Sequence, residues 1–191
     1  MKIIKITKKL EKVQSEKRFE HTMGVEYTAG CLAMRYSEDV EKARLAGLLH
    51  DCGKHLSEER LLELCRKYDI PISDIEKKSP FLLHGKVGAL IARKKFGIED
   101  EEVLDAIYYH VTGKPGMSTL GKIIYISDFI EPNRDFTDLS RIRTLAFEDL
   151  DMALIKILEL TLAHIKSKEA PIDPMTQETY DYYMKEYLKN V

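Results

Sequence analysis

Apolar residues recur every three or four positions along nearly every long segment of this chain, and this spacing constrains the fold more than any other feature. Such a period places apolar side chains on one face of an α-helix, whereas a half-buried strand would alternate them with a period of two. Prolines stand at positions 71, 80, 115, 132, 171 and 174, where they mark the ends of segments. We find no convincing strand pattern, so the sequence predicts an all-α helical bundle.

Capping residues divide this pattern into separate helices. Ser15, Ser57, Asp100 and Ser118 are suited to helix N-termini, and Gly97 is suited to a C-terminus. The predicted helices span about 4–14, 17–36, 39–51, 58–68, 81–96, 101–111, 119–131, 138–147, 149–167 and 176–189. No change of composition typical of a linker separates them, so we expect one domain.

The composition excludes several classes of function. A chain of 191 residues is long enough for one domain with a proper core, and its formal net charge of -2 offers no basic surface for nucleic acid. We find neither the roughly 20 apolar residues of a membrane-spanning helix nor a secretory signal. The three cysteines have no CxxC spacing, which fits a reducing compartment. We therefore expect a cytoplasmic protein that binds neither nucleic acid nor membrane.

The run Ala46-Gly-Leu-Leu-His-Asp-Cys-Gly-Lys54 carries the first chemical signal. It places an imidazole, a carboxylate and an ammonium group close together where a small-residue helix ends. The adjacent His50 and Asp51 can reach one cation. We expect Gly53 to let the chain turn and Lys54 to lean toward an anion bound by that cation. Because the His-Asp pair is common by chance, the interpretation depends on further ligands elsewhere in the chain.

Further potential ligands come from other predicted helices, on the apolar or small-residue side where a stripe is clear. The full set is His21, His50, Asp51, His84, His110 and Asp128. Taken singly, an inward histidine is more often a hydrogen-bonded core residue, and a late aspartate is more often a cap. Burying four imidazoles and two carboxylates without partners is costly, whereas divalent cations bind both groups. Nitrogen and oxygen donors suit Fe, Mn, Co, Ni or Zn.

Two parts of the sequence resemble a known family. His21, the pair His50-Asp51 and Asp128 resemble the H…HD…D metal signature of the HD-domain phosphohydrolases, and His84 and His110 resemble the variant in which Asp51 bridges two metals. The run His-Val-Thr-Gly-Lys-Pro-Gly-Met-Ser-Thr-Leu-Gly-Lys-Ile-Ile-Tyr-Ile-Ser-Asp-Phe-Ile-Glu-Pro-Asn-Arg, residues 110–134, is similar to the bacterial symmetrical diadenosine tetraphosphate hydrolases. This similarity extends over about residues 15–180.

The resemblance implies a single HD domain over residues 1–191, with a metal-binding core at about 17–134 and helices at about 138–189 completing a nucleotide pocket. It implies one metal held by His21, His50, Asp51 and Asp128, and a second held by Asp51, His84 and His110. Iron is expected first, with Mn, Co, Ni or Zn as alternatives and one or two ions bound. The implied reaction is metal-assisted hydrolysis at the middle of a dinucleoside polyphosphate, which gives two nucleoside diphosphates such as ADP. A homodimer is also expected.

Individual roles follow from the resemblance. Catalysis is assigned to Asp51, Lys54, His84 and His110. Substrate contacts are assigned to His21, Gly24, Lys54, His84, His110, Asp128, Arg134, Pro171, Ile172, Asp173 and Pro174. Lys54 would touch the scissile phosphate, Arg134 would clamp the next one, and Ile172 would lie against the base. Two divalent ions and two carboxylates leave a charge of about +2, before Lys54, Lys114 and Arg134 are counted, which favours a polyphosphate.

Three alternatives stay open at this point. The first is an HD hydrolase of another nucleotide, such as a (deoxy)nucleoside triphosphate or a cyclic dinucleotide. The second is a nucleotide sensor without catalytic activity, and the third is a helical scaffold with incidental histidines. The complete ligand set favours an enzyme, because a retired site would be expected to lose ligands. We expect His55 and His164 to lie outside the site and Cys52 to be a small packing residue.

Overall fold

The computed structural model describes residues 3–135 and 139–189, and these residues form helices without any strand. The helices are α1 (Ile3–Glu11), α2 (Glu16–Arg35), α3 (Val40–Leu49), α4 (Glu58–Lys67), α5 (Asp74–Lys78), α6 (His84–Phe96), α7 (Glu101–Tyr109), α8 (Thr119–Ile130), α9 (Ser140–Glu148), α10 (Leu150–Ser167) and α11 (Pro174–Leu188). None of the helices described is long and apolar enough to cross a membrane. The prediction of an all-α fold is confirmed.

The predicted caps are confirmed at both kinds of helix end. The side chains of Ser15, Ser57, Asp100 and Ser118 each accept a backbone N–H in the first turn of their helix. Gly97 ends α6 with a φ of 65°, a left-handed conformation that costs glycine little. These positions were predictable because capping depends on residues within one turn of each other.

Two details differ from the predicted helices. A 3-10 turn, Pro80–Leu83, precedes α6, so the helix expected from residue 81 begins at His84. Helix α5 was not predicted; Ser73 and Glu76 form a capping box that stabilises this short helix. The first residue of the helix predicted at about 138–147 lies outside the described residues, and α9 begins at Ser140.

The helices that carry the six potential ligands pack directly against one another. Helix α2 contacts α3 and α8, and α7 contacts α3, α6 and α8. Gly47 permits the close approach of α3 to α2, since a Cβ at this position would stand 3.1 Å from Cα of Glu26. Leu32, Leu48 and Ile107 fill the space between these helices and are completely buried. This packing brings the C-terminal ends of α3 and α7 and the start of α6 together, with the end of α3 against His21 in the first half of α2.

Candidate metal centre

Two pairs of histidines face opposite oxygens of one carboxylate. The Nε2 atoms of His21 and His50 lie 3.3 Å apart, and Oδ2 of Asp51 is 3.8 and 3.5 Å from them. The Nε2 atoms of His84 and His110 lie 3.2 Å apart. Oδ1 of Asp51 is 3.2 Å from His84 and 3.6 Å from His110. Asp51 therefore stands between the two pairs.

Asp128 completes the first of these groups. Its Oδ1 lies 3.0 Å from Nε2 of His21 and 3.8 Å from Nε2 of His50. We call His21, His50, Asp51 and Asp128 the His21 group, and Asp51, His84 and His110 the His84 group. The structure brings all six predicted residues together from five segments of the chain: α2, the end of α3, the start of α6, the end of α7, and α8.

Backbone carbonyls orient three of the four imidazoles. His50 Nδ1 donates to the carbonyl of Gly47 at 2.6 Å, and His110 Nδ1 donates to that of Ile107 at 2.7 Å. His84 Nδ1 makes the same bond, at 2.5 Å, to Phe81. A carbonyl can only accept, so each Nδ1 carries a proton and each Nε2 is turned inward. Each carbonyl belongs to the residue three positions earlier in the chain, so the helix end itself fixes the orientation of the imidazole ring.

The electrostatics of the centre keep its carboxylates ionised. Burial raises the pKa of Asp51, but the positive charge of His50 and hydrogen bonds from the neighbouring imidazoles outweigh it and hold this pKa well below its usual range. Asp128 is likewise shifted to a low pKa, because its bond from His21 outweighs the loss of water contact. Burial lowers the pKa of His84, which favours the neutral ring that a metal ion needs.

The donor atoms fit divalent ions in type and spacing. Three sets offer ligand atoms that all lie within 4.8 Å of one another: His21, His50 and Asp51; His50, His110 and Asp128; and Asp51, His84 and His110. Ligands bound at about 2.1 Å from one ion stand about 3.0–3.4 Å apart, and the two Nε2 pairs, at 3.3 and 3.2 Å, match this. Imidazole nitrogen with carboxylate oxygen is a donor set for transition metals.

Two arginines contact the ligand carboxylates. Arg134 donates from Nη2 to Oδ1 of Asp128 at 2.7 Å, as a residue predicted for this site. Arg18 donates from Nη1 to Oδ2 of Asp51 at 2.6 Å and was missed from the sequence. A signal for it existed, because Arg18 precedes His21 by three residues and therefore shares its helix face. Both guanidinium groups add positive charge beside the centre.

Two cavities meet at these arginines, which line both of them. The smaller cavity, of about 260 Å³, is also lined by Asp51, Lys54, His84, His110 and Asp128, together with Phe81, Val111, Tyr125, Phe129 and Thr161. The larger, of about 670 Å³, is lined by His21 and Glu131 and by Ser15, Glu16, Lys17, Glu20, Asn133 and Asp135. The aromatic and threonine walls of the smaller cavity were missed, because they come from three separate segments without a shared motif.

Lys54 reaches the His84 group. Its Nζ lies 3.1 Å from Nε2 of His84. Although the side chain as a whole is exposed, partial shielding of the ammonium group from water lowers the pKa of Lys54. Lys114, expected to add charge to the site, instead pairs with Asp105 at 2.7 Å. Lys54 is thus the lysine that lines the smaller cavity.

Gly53 lies between Asp51 and Lys54 for a different reason than expected. The chain turns there, but the left-handed glycines of the described chain are Gly97, Gly113 and Gly116, and Gly53 is not among them. A Cβ on residue 53 would stand 2.8 Å from the carbonyl oxygen of His84. Close contact with the start of α6, and not an unusual backbone angle, therefore calls for glycine here.

The remaining predicted substrate contacts, Gly24 and residues 171–174, are not among the residues that line the two cavities. Gly24 is buried in α2 with Glu131 against it. Asp173 caps α11 by accepting the N–H of Met175, and Pro174 follows as the first helical residue. The segment 171–174 lines neither of the two cavities above. His55 and His164 are exposed, and Cys52 is buried, as expected.

Comparison with known proteins places this geometry in context. The HD domain family matches residues 18–185. The chain is 39% identical over 168 residues to the symmetrical bis(5'-nucleosyl)-tetraphosphatase of Bacillus subtilis, covering 88% of this chain and 90% of that protein. It is 42% identical over 172 residues to the protein of that name from Halalkalibacterium halodurans, covering 90% and 91%. A crystal structure from Clostridium acetobutylicum, of a predicted HD superfamily hydrolase involved in NAD metabolism, matches with a TM-score of 0.94, 42% identity, and coverage of 97% of this chain and 98% of that one.

Proposed function

Because the chain belongs to the HD-domain family and, within it, to the bacterial symmetrical bis(5'-nucleosyl)-tetraphosphatases, we propose that it hydrolyses diadenosine tetraphosphate and related dinucleoside polyphosphates to two nucleoside diphosphates. The observation that carries this is the position of Asp51, whose two oxygens face two separate pairs of histidines. A carboxylate in that position suits a pair of divalent ions.

We assign one ion to the His21 group and a second to the His84 group, with Asp51 shared. When bound, the ions supply Lewis acidity toward phosphoryl oxygens and lower the pKa of water. The resemblance places iron first. Mn, Co, Ni and Zn are alternatives, because imidazole and carboxylate donors suit all five metals. The protein's part is to hold the donors in place: the four rings are fixed at Nδ1, so Nε2 needs no reorientation.

The cationic side chains bind and orient the polyphosphate. We assign the Lys54 ammonium, which lines the smaller cavity beside His84, to the scissile phosphoryl oxygens. Arg18 and Arg134 present planar guanidinium groups to both cavities and are suited to two oxygens of a neighbouring phosphate. These three cationic side chains all line the smaller cavity. There they neutralise the charge that accumulates on the phosphates as the bond breaks.

The arrangement of the cavities is consistent with cleavage in the middle of the substrate. A dinucleoside tetraphosphate has two equal halves, which extend in opposite directions from its central bond. Arg18 and Arg134 line both cavities, of about 260 and 670 Å³, which otherwise have different lining residues. We assign one half of the substrate to each cavity. Contact between the nucleotide and Pro171, Ile172, Asp173 and Pro174 remains a proposal, supported by the resemblance.

Product analysis tests the proposed function. The protein is purified anaerobically, its metal content is measured, and it is incubated with diadenosine tetraphosphate. Two ADP per substrate are expected; ATP plus AMP, or no turnover with any of the five metals, would contradict the proposal. Deoxynucleoside triphosphates and cyclic dinucleotides serve as competing substrates. Asp51→Ala, which removes the shared ligand, should abolish both turnover and metal retention.

Binding without turnover would favour the sensor. If metal-loaded protein binds diadenosine tetraphosphate but hydrolyses none of it, the sensor replaces the enzyme.

We also propose a cytoplasmic location and a homodimer. The location is supported by Cys31, Cys52 and Cys65, which are all free, and the dimer by the resemblance. Light scattering of the metal-loaded protein measures the oligomeric state.

A further inference from the structure

One histidine of the centre is held differently from the other three. His50, His84 and His110 donate from Nδ1 to backbone carbonyls. His21 Nδ1 instead lies 3.1 Å from Oε1 of Glu131. Glu131 is only 1% exposed, so protein atoms and not solvent surround its carboxylate. A carboxylate partner adds a negative charge behind the ring, which a carbonyl does not.

Glu131 itself is fixed in position. Its Oε2 accepts the backbone N–H of Asn133 at 2.8 Å. Arg143 holds the surrounding backbone by donating to the carbonyls of Ile130 at 2.8 Å, Glu131 at 2.9 Å and Arg134 at 3.1 Å. The carboxylate therefore presents Oε1 to His21 without freedom to turn away.

Gly24 provides the space that this carboxylate occupies. It lies one helical turn after His21 on α2, and a Cβ at this position would overlap Oε2 of Glu131 and stand 3.0 Å from its Cδ. Any other residue at position 24 would push Glu131 away from His21. The glycine first predicted as a substrate contact thus has a second explanation, in the packing of α2 against the end of α8.

We propose that Glu131 is a positioning residue that strengthens metal binding by the His21 group, because its carboxylate lies 3.1 Å from Nδ1 of His21. It keeps the proton on Nδ1, directs Nε2 toward the ion, and raises the donor strength of the ring. Within residues 3–135 and 139–189, no carboxylate bonds to Nδ1 of a histidine of the His84 group; these imidazoles bond to the Phe81 and Ile107 carbonyls instead. The inference rests on the metal ligands assigned under the proposed function.

Mn²⁺ titration of metal-free protein tests this directly. His84→Ala removes a ligand of the other group, so that calorimetry reports the His21 group alone. In that background, Glu131→Gln is expected to weaken Mn²⁺ binding about 10- to 100-fold, because the amide keeps the shape of the side chain without its charge. Gly24→Ala should give a similar loss by displacing the carboxylate. Melting temperatures of the metal-free variants show whether each is folded.

Two controls separate positioning from a general effect on the fold. Glu76 is another buried carboxylate, 3% exposed and paired with Lys86, and Glu76→Gln should leave Mn²⁺ affinity unchanged. In a His21→Ala background, Glu131→Gln should have no further effect, since it acts through that ring. The inference is overturned if Glu131→Gln in the His84→Ala background leaves Mn²⁺ affinity unchanged, or if Glu76→Gln lowers that affinity equally. If His84→Ala and wild type bind no Mn²⁺ at all, the metal centre itself is wrong, and the inference fails with it.

Discussion

Nζ of Lys54 lies 3.1 Å from Nε2 of His84, so the ammonium group touches the atom that His84 offers to a metal ion. Lys54 follows Asp51 by three residues, and the turn that begins at His50 brings both side chains to one cavity. A lysine in this position can bind an oxyanion that also contacts the metal. The relationship makes Lys54 the first residue to test.

Lys54→Ala is expected to lower kcat on diadenosine tetraphosphate by about 10²- to 10³-fold, the usual effect of removing a group that stabilises charge in the transition state. Its metal content should match that of wild type. Lys114→Ala is the matched control, because that ammonium pairs with Asp105 outside the cavity, and it should retain nearly full activity. A Lys54→Ala enzyme within threefold of wild type would rule out the assigned role.

Arg18→Ala is expected to lower kcat/KM about 10- to 100-fold, because Arg18 contacts Asp51 and lines both cavities. Arg18→Lys should have a higher kcat/KM than Arg18→Ala but a lower one than wild type, since an ammonium group cannot make the planar two-point contact. Arg35→Ala, on the same helix, is the control: its guanidinium donates to the carbonyl of Phe147, away from the site. Steady-state kinetics of these variants at equal metal content measure the differences. Full activity of Arg18→Ala would contradict the assignment of Arg18 to a substrate phosphate.

Metal binding is expected to stabilise the folded protein through its buried ligands. At a free Mn²⁺ concentration of 100 times Kd, each site should add about 2.7 kcal/mol to the free energy of unfolding. Asp51→Ala should remove this gain, because both groups lose the shared carboxylate. Asp105→Ala, a carboxylate outside the centre, should keep it. Denaturant titrations with and without Mn²⁺ measure the difference, and an equal gain in Asp51→Ala would be incompatible with the proposed ligands.

Gly53→Ala is expected to destabilise the protein by about 1–3 kcal/mol, the usual cost of overpacking, since its Cβ would stand 2.8 Å from the His84 carbonyl oxygen. Activity should fall as well, because the contact lies between Asp51 and Lys54. Gly97→Ala is the comparison: it strains a φ of 65° but meets no atom within 4 Å, so stability falls by about 1–2 kcal/mol with activity unchanged. Similar activity in both variants would contradict the packing explanation.

The three cysteines are expected to differ in reactivity. Burial raises the pKa of Cys52 to about 12 and that of Cys65 to about 11, so at pH 8 both lack the reactive thiolate. Cys31 is exposed on α2. Ellman's reagent should therefore titrate one thiol in native protein and three after unfolding, and Cys31→Ser should remove the native signal. Rapid reaction of a second thiol in the native protein would show that Cys52 or Cys65 is accessible.

Local interactions explain how much of the fold could be predicted. The caps at Ser15 and Asp100 and the glycine at Gly97 act within one turn of the chain. The helical period also placed His21 and His110 on inward faces, and the structure buries both. Helix α5 was missed because five residues are too short for a period to be visible.

Sequence by itself determined the helices other than α5, the inward histidines and the resemblance, because periodicity, capping and motif spacing are properties of neighbouring residues. Tertiary structure alone decided that Glu131 supports His21 and that Gly53 is needed for contact with α6. It also gave the distances that place Asp51 between two histidine pairs, as the resemblance had implied. These relationships join residues 30 or more positions apart, except for the His50 contact. Distances between such residues depend on how whole helices pack, and no local pattern records that packing.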